Sequence, residues 1–316
     1  YAWTGGTTMS SMTGLSAGTY SVTVTDFNGC TVMGSFEVLE PAILEVSETI
    51  TNVTCNGFAN GSIDLIVSGG TSPYTYSWNN GFGSSNPSQL IAGTYLVTVT
   101  GANGCSLTGS YVVTEPTELV VSGVATDVTC NGAMDGSIDV SVSGGTSPYT
   151  YSWNNVAGGE DMYNLSGGFY ELVVTDANGC TSTMSWTINE PAVLEVAGSV
   201  VDVTCYGLSN GSVVLTVSGG TSPYTYAWTG GTTMSSMTGL SAGIYSVTVT
   251  DFNGCTVMGS FEVLEPAILL VIPTIENNTC FGNNDGSVIL TVTGGTQPYS
   301  YIWSDSSVGS SLTGLG

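Results

Sequence analysis

The residues able to do chemistry in this 316-residue chain are cysteines and carboxylates. It contains 8 Cys and 24 Asp and Glu but no Lys, Arg or His, so its formal net charge is −24 at pH 7. Without His and Lys, the usual general base, Schiff-base chemistry and His-ligated zinc are absent. What remains is disulfide formation, binding of hard cations by carboxylates, and acid–base catalysis by paired carboxylates.

The cysteines also reveal an internal repeat. They form two series with a constant 75-residue step: Cys30, Cys105, Cys180 and Cys255, and Cys55, Cys130, Cys205 and Cys280. Five tryptophans keep the same step: Trp3, Trp78, Trp153, Trp228 and Trp303. Boundaries placed after the Glu-Pro pairs predict a C-terminal part of a module at 1–41, full modules at 42–116, 117–191 and 192–266, and an N-terminal part at 267–316. We call this repeat unit a module and expect the array to continue in both directions.

Carboxylates at two recurring positions are candidate calcium ligands, because calcium takes oxygen ligands. Glu115 and Glu190 end modules, while Asp176 and Asp251 open turns; solvated surface charge is the alternative for all four. The neighbouring Glu160 and Asp161 are a carboxylate pair of the kind that glycosidases use, but they occur in one module only. We therefore expect no enzyme and, calcium aside, no cofactor.

The absence of basic residues also limits the partners. No cation is present to neutralise phosphates, so nucleic acid and anionic membranes are not expected as ligands. The longest apolar stretch, residues 267–272, is far shorter than the roughly 20 residues of a membrane span, so no membrane insertion is expected in these residues.

Each module shows the alternation of half-buried strands. Ile63, Leu65 and Val67 point to one side, and Asp64, Ile66 and Ser68 to the other. Several such strands fit into each module, separated by Gly-Gly, Asn-Gly and proline-containing turns. This spacing predicts an all-β fold, a tandem array of antiparallel β-sandwiches. Asn-Gly is expected to supply the positive φ angles of the hairpin between the last two strands.

Several motifs resemble a known family. VTCNG at 53–57, GGTSPYTYSW at 69–78, the NGC tripeptides and the closing Glu-Pro pairs are similar to the SprB-type repeat of Bacteroidetes cell-surface adhesins. The middle of the module also resembles polycystic-kidney-disease domains, which are immunoglobulin-like sandwiches. The resemblance implies a very large extracellular protein, located at the cell surface, exported by the type IX route and associated with gliding motility and adhesion.

An even number of cysteines at fixed spacing in a secreted all-β array indicates disulfides. In an immunoglobulin-like topology the VTCNG and NGC cysteines lie at opposite ends of a sandwich, roughly 25 Å apart, whereas a disulfide needs Cα atoms within about 7 Å. Pairing inside a module, such as Cys55 with Cys105, would then be strained. Head-to-tail stacking would instead pair Cys55 with Cys180 and Cys130 with Cys255. We expect all eight cysteines to be oxidised across junctions; bonds within modules and free thiols are the alternatives.

The five tryptophans at the 75-residue step are predicted core residues. Trp78 shares a strand face with Tyr74 and Tyr76, whose alternative role would be a sugar-stacking platform. Trp186 departs from the series and is the better candidate for an exposed aromatic side chain.

These observations predict the structural shaft of a secreted adhesin or extracellular filament. The array is expected to be straight, with a rise of about 35 to 45 Å per module. Expected partners are copies of the same filament and a surface polysaccharide or substratum. The alternative is a glycan- or surface-binding array that uses its variable loops at 79–89 and 154–164. A third class, an enzyme that carries these repeats as spacers, would concern a longer protein.

Overall fold

The computed structural model describes residues 1–316, and all of its regular structure is β: 25 strands and no helix. The all-β prediction is therefore confirmed. The residues group into two compact units, one made of 1–122, 141–158 and 172–184, the other of 123–140, 159–171 and 185–316. No helix that could span a membrane occurs. The division into five modules stays a prediction drawn from the repeat.

Strands recur at the period of the repeat. In residues 1–41 they are β1 (Ala2–Trp3), β2 (Gly18–Thr25) and β3 (Thr31–Val38). In residues 42–116 they are β4 (Glu45–Thr51), β5 (Gly61–Ser68), β6 (Tyr74–Trp78), β7 (Ser88–Leu90), β8 (Gly93–Gly101) and β9 (Ser106–Val113). In residues 117–191 they are β10 (Val120–Thr126), β11 (Gly136–Ser143), β12 (Thr150–Trp153), β13 (Val156–Gly158), β14 (Met162–Leu165), β15 (Gly168–Thr175) and β16 (Thr181–Ile188).

The remaining strands repeat the same pattern. In residues 192–266 they are β17 (Glu195–Val201), β18 (Gly211–Ser218), β19 (Thr225–Trp228), β20 (Ser236–Leu240), β21 (Gly243–Thr250) and β22 (Thr256–Val263). In residues 267–316 they are β23 (Leu270–Glu276), β24 (Gly286–Thr293) and β25 (Ser311–Leu315).

Each of the modules 42–116 and 192–266 forms two three-stranded antiparallel sheets. The strand orders are β4-β5-β7 and β6-β8-β9 in one, and β17-β18-β20 and β19-β21-β22 in the other. In the lettering of the immunoglobulin fold, β4 to β9 are strands A, B, C, E, F and G, and strand D is missing. The two sheets are then ABE and CFG, as in an immunoglobulin-type sandwich. The hydroxyl of Tyr95, early in β8, donates to the carbonyl of Ile91 at 2.9 Å, which is the tyrosine corner of that fold.

The two sheets of module 42–116 face each other across one apolar core. Ile63 and Leu65 of β5 pack with Val97 and Val99 of β8, and all four are almost completely buried because alternate side chains of each strand point inward. Complete burial of one such aliphatic side chain contributes about 1.5–3 kcal/mol. Val213, Leu215, Val247 and Val249 form the same core in module 192–266.

The repeated tryptophans occupy this core. Trp78, Trp153 and Trp228 are each only 4% exposed, while Trp3 and Trp303 are half-buried. The indole N–H of Trp78 donates to the carbonyl of Ser84 at 2.9 Å, so its polar atom is satisfied. The tryptophans of modules 42–116, 117–191 and 192–266 are therefore buried side chains of the core.

Trp186 is also buried, which makes the prediction of an exposed side chain wrong. It is 8% exposed. A Cβ atom added to Gly123 would come within 2.9 Å of the indole ring, so the ring lies against the backbone of strand β10. Phe261 lies over Gly198 in the same way in module 192–266. The missing side chain on one strand leaves room for a large ring from the other sheet.

The Gly-Gly turn that follows strand β5, and its equivalents after β11 and β18, packs against the backbone of the segment that follows each Glu-Pro pair. Gly69 has φ +68°, and a Cβ atom there would lie 1.8 Å from the carbonyl oxygen of Ile43. Gly144 and Gly219 have the same conformation and the same close approach, to Glu118 and Val193. Only glycine fits this position, because any side chain would collide with the backbone of the incoming strand.

Candidate functional site

The chemically distinctive site is a disulfide-linked junction that occurs twice. Cys55 bonds to Cys180 and Cys130 bonds to Cys255, each pair with a Cα–Cα distance of 5.7 Å and a sequence separation of 125 residues. Each bond joins the VTCNG loop of one module to the NGC hairpin of the next. These are the two pairs expected of bonding across junctions.

The other four cysteines are not bonded. Cys30, Cys105, Cys205 and Cys280 are free and exposed, so the expectation that all eight are oxidised is wrong for these four in this structure. The bonded VTCNG cysteines pair with a residue 125 positions towards the C-terminus, and the bonded NGC cysteines with one 125 positions towards the N-terminus. For each of the four free cysteines, the same rule gives a position outside residues 1–316.

The NGC hairpin is closed by backbone hydrogen bonds. In residues 176–180 the N–H of Asp176 donates to the carbonyl of Cys180 at 2.9 Å, and the N–H of Gly179 donates to the carbonyl of Asp176 at 3.0 Å. Gly179 has φ +83°, but Asn178 does not have positive φ, so the prediction that Asn-Gly supplies two positive φ angles is wrong for the asparagine. This is a turn followed by a left-handed glycine, and it leaves the asparagine side chain available.

That asparagine reaches across the junction. Asn178 Nδ2 donates to the carbonyl of Thr54 at 3.0 Å, next to the bonded Cys55, and to the hydroxyl of Thr146 at 3.0 Å. At the second junction Asn253 Nδ2 donates to the carbonyl of Thr129 at 2.9 Å. The residue pair joined in this way is 124 positions apart both times. Each junction therefore combines one covalent bond with one amide hydrogen bond.

Asp176 holds the hairpin in place from inside. It is 5% exposed, and its carboxylate accepts the N–H groups of Asn178 at 2.9 Å, Cys180 at 2.8 Å and Thr146 at 2.9 Å. Burial by itself raises the pKa of Asp176, but the backbone N–H groups of Cys180, Thr146 and Asn178 stabilise the charged form, and the pKa lies below its ordinary value.

Asp251 plays the same part at the second junction. Its carboxylate accepts the N–H groups of Thr221 and Cys255, each at 2.8 Å. Burial opposes ionisation, yet these N–H groups leave the pKa of Asp251 lowered as well. The oxygens of both carboxylates face N–H donors, and such donors stabilise a negative charge where a calcium ion would need free oxygens.

The glutamates of the Glu-Pro pairs hold the VTCNG loop. Glu115 accepts the N–H of Gly57 at 2.7 Å, Glu190 that of Gly132 at 2.6 Å, and the next module repeats the contact. Asn56 Nδ2 also donates to the carbonyl of Pro116 at 3.2 Å. No group of three or more Cys, Asp or Glu side chains placed to hold a metal ion occurs in residues 1–316. The four calcium candidates are thus not brought together: the two glutamates accept N–H groups of the VTCNG loop, and the two aspartates accept N–H groups of the NGC hairpin.

A local contact stabilises the other half of the junction. The N–H and hydroxyl of Thr129 both donate to Asp135, and they hold the pKa of that carboxyl below its usual range. Asn60 serves Thr54 in the same way at the first junction, accepting its N–H at 3.1 Å. The residue before each bonded VTCNG cysteine is therefore held by a side chain of its own module.

Sequence reasoning identified the cysteines of the junction but missed its polar contacts. The sequence assigns the Asn-Gly pair to the turn, and it offers Asp176 as a calcium ligand or as solvated surface charge. The available signal was the recurrence of Asp-x-Asn-Gly-Cys at 26–30, 176–180 and 251–255. If the turn needed only Asn-Gly, nothing would explain why an aspartate opens three of these hairpins.

Comparison with protein families identifies the repeat. The SprB repeat model matches residues 47–83, 122–158, 197–233 and 272–308, with the same 75-residue period as the cysteines. No curated protein matches the sequence.

Solved structures of tandem domains resemble the chain at low identity. Immunoglobulin domains 1–5 of Sidekick-1 match 78% of the chain with 13% identity and a TM-score of 0.34; a three-domain titin structure matches 70% with 13% identity and a TM-score of 0.35. Domains 1–6 of the surface layer protein SbsC match 95% with 13% identity and a TM-score of 0.25. The matches cover 66% of the Sidekick-1 chain, 98% of the titin chain and 49% of the SbsC chain, so this chain spans about half the length of the last.

Proposed function

We propose that this chain, which carries four SprB repeats, is a segment of the structural shaft of a secreted cell-surface adhesin or extracellular filament. The observation that carries the proposal is the junction: one disulfide, one asparagine amide and one buried aspartate recur with the same separations at two successive module boundaries. A repeated covalent link between neighbouring modules suits a part whose task is to transmit tension.

The bonding chemistry supports a location outside the cell. Disulfides form and persist in oxidising compartments and are rare where thiols are kept reduced. Two of them close loops of 125 residues in this chain. We therefore place the protein outside the cell, at the cell surface, with a role in adhesion or gliding as part of the proposal.

The charge supports a shaft whose surface repels its neighbours. With 24 carboxylates and no basic residue, no ion pair between Asp or Glu and a basic side chain can form, and like charges favour separation of adjacent segments. Partners in the proposal are other copies of the filament and a neutral polysaccharide or substratum. Nucleic acid and membrane insertion are not part of it.

Small-angle X-ray scattering of the oxidised chain tests the shaft. A straight array with a rise of about 40 Å per module gives a radius of gyration of roughly 40 Å or more, whereas a compact globule of the same length gives about 20 Å. The larger value is expected at physiological ionic strength. A radius of gyration equal to that of the globule would overturn the proposal.

A glycan-binding experiment separates the shaft from the alternative function. The loops at 79–89 and 154–164 differ in structure, since only the second contains a complete strand, β13. A shaft predicts no saturable binding of neutral polysaccharides by these loops. Binding that is lost when the loop 154–164 is replaced by the sequence 79–89 would favour a binding array instead.

A further inference from the structure

The two disulfides close loops that overlap. The first encloses residues 55–180 and the second 130–255, so residues 130–180 belong to both. We infer that the two bonds together limit the end-to-end distance that the chain can reach under tension, and that either bond alone keeps most of this limit. The inference concerns the connectivity and does not depend on the proposed shaft.

The limit follows from the shortest covalent path through the molecule. With both bonds intact, this path runs from residue 1 to Cys55, crosses to Cys180, returns along the chain to Cys130, crosses to Cys255 and continues to residue 316. It contains about 165 residues, compared with about 315 for the chain without bonds. However completely the sandwiches unfold, the ends cannot separate further than this path allows.

Overlap makes the two bonds redundant. If either bond is removed, the shortest path contains about 190 residues, because the remaining disulfide still bypasses 125. Loss of the first bond thus adds only about 25 residues of reach, and loss of the second adds about 125 more. At up to 3.6 Å per residue these steps are roughly 90 Å and 450 Å.

The shortest path returns through the segment that both loops share. Residues 130–180 contain strands β11, β12 and β15, so these strands carry the tension once their sandwich has unfolded. Residues 56–129 and 181–254 connect the same two disulfides by longer routes and stay slack at full extension.

Single-molecule pulling measures these lengths directly. The full chain is held by peptide tags fused to its two ends, in a background where Cys30, Cys105, Cys205 and Cys280 are serine, so that no free thiol can exchange. Three matched variants are compared with it: C55S/C180S, C130S/C255S and the combination of both. The readout is the contour length after complete unfolding, which does not require the variants to fold.

The expected contour lengths correspond to about 165 residues for the intact protein, about 190 for either double variant and about 315 for the combination. A contour length of about 265 residues for the intact protein, as a within-module bond between Cys130 and Cys180 would give in this background, would overturn the inference. So would a first step of about 125 residues. A compact particle in the scattering experiment would end the shaft proposal but leave these lengths unchanged, so the two failures are distinguishable.

Discussion

The hairpins at 251–255 and 101–105 have the same backbone but different side-chain contacts. In both, the first residue donates its N–H to the carbonyl of the cysteine, at 3.0 Å from Asp251 and 2.9 Å from Gly101. Asp251 then binds the N–H of Cys255, whereas at the other hairpin the N–H of Cys105 donates to the side chain of Asn103 at 3.3 Å. Asn253 instead reaches Thr129 of the preceding module.

The hairpin fold and the contacts at the junction depend on different groups. Glycine in the left-handed conformation and backbone hydrogen bonds are sufficient to form the hairpin, since the version with Gly101 has them all. The aspartate adds acceptors for the N–H groups of Cys255 and Thr221 that Gly101 cannot supply. The asparagine contact additionally needs the VTCNG loop of the preceding module, which residues 1–41 do not contain.

The largest difference between the two hairpins should come from the disulfide. The C130S/C255S variant removes a bond that closes a loop of 125 residues, which a chain-entropy estimate values at about 4–5 kcal/mol. We expect a clear loss of thermal stability under oxidising conditions, measured by calorimetry. The matched control is Cys105→Ser, which removes a free thiol and should leave the unfolding temperature unchanged. Equal effects of the two changes would contradict the comparison.

Exchanging the first residue of the hairpins should have the next largest effect. Asp251→Gly leaves the N–H groups of Thr221 and Cys255 without their acceptor, and we expect the unfolding temperature to fall by roughly 4–8 °C. The control Asp64→Asn alters an exposed carboxylate of β5 and should have no effect.

The reciprocal change, Gly101→Asp, should raise the unfolding temperature, but by less than Asp251→Gly lowers it. A Cβ atom there would lie 2.9 Å from the carbonyl oxygen of Thr71 and 3.1 Å from Asn103 Oδ1, so both must shift. Destabilisation by Gly101→Asp as large as that by Asp251→Gly would show that the aspartate does not fit this hairpin.

Acid should weaken only the hairpins that contain aspartate. The pKa values of Asp176 and Asp251 are lowered, so their contribution is fully present above the unfolded value of about 3.9 and is lost as pH falls through the lower folded values. We expect the urea midpoint to decrease between pH 5 and pH 2, measured at fixed ionic strength. The decrease should be smaller in D176N/D251N; equal decreases in both proteins would contradict the assignment.

The smallest effect should come from the asparagines. Asn253→Ala removes the hydrogen bond to Thr129, and we expect a loss of about 1 kcal/mol in the free energy of unfolding. Asn103→Ala removes a longer, local hydrogen bond and should cost less. Urea unfolding of both variants at pH 7 measures the difference. If Asn103→Ala costs as much as Asn253→Ala, the amide is acting within the turn and not across the junction.

Much of the fold was predictable because its signals are local. The alternation of Ile63 and Leu65 with Asp64 specifies a half-buried strand whatever its partner is, and the 75-residue step of Trp78, Trp153 and Trp228 marks equivalent core positions. Trp186 was misjudged because its burial depends on Gly123, which lies 63 residues earlier in the chain.

The all-β class, the period of the repeat and the absence of basic side chains follow from the linear chain alone, because alternation, spacing and composition do not depend on how the chain folds. The tertiary structure alone decided between Cys180 and Cys105 as the partner of Cys55, since both partners satisfy the same spacing rule and only the spatial approach of the loops differs. It also decided that Asp176 accepts N–H groups and that Asn178 reaches Thr54. A carboxylate or amide acquires its role from the groups that folding places around it, and at this junction those groups come from residues up to 124 positions away.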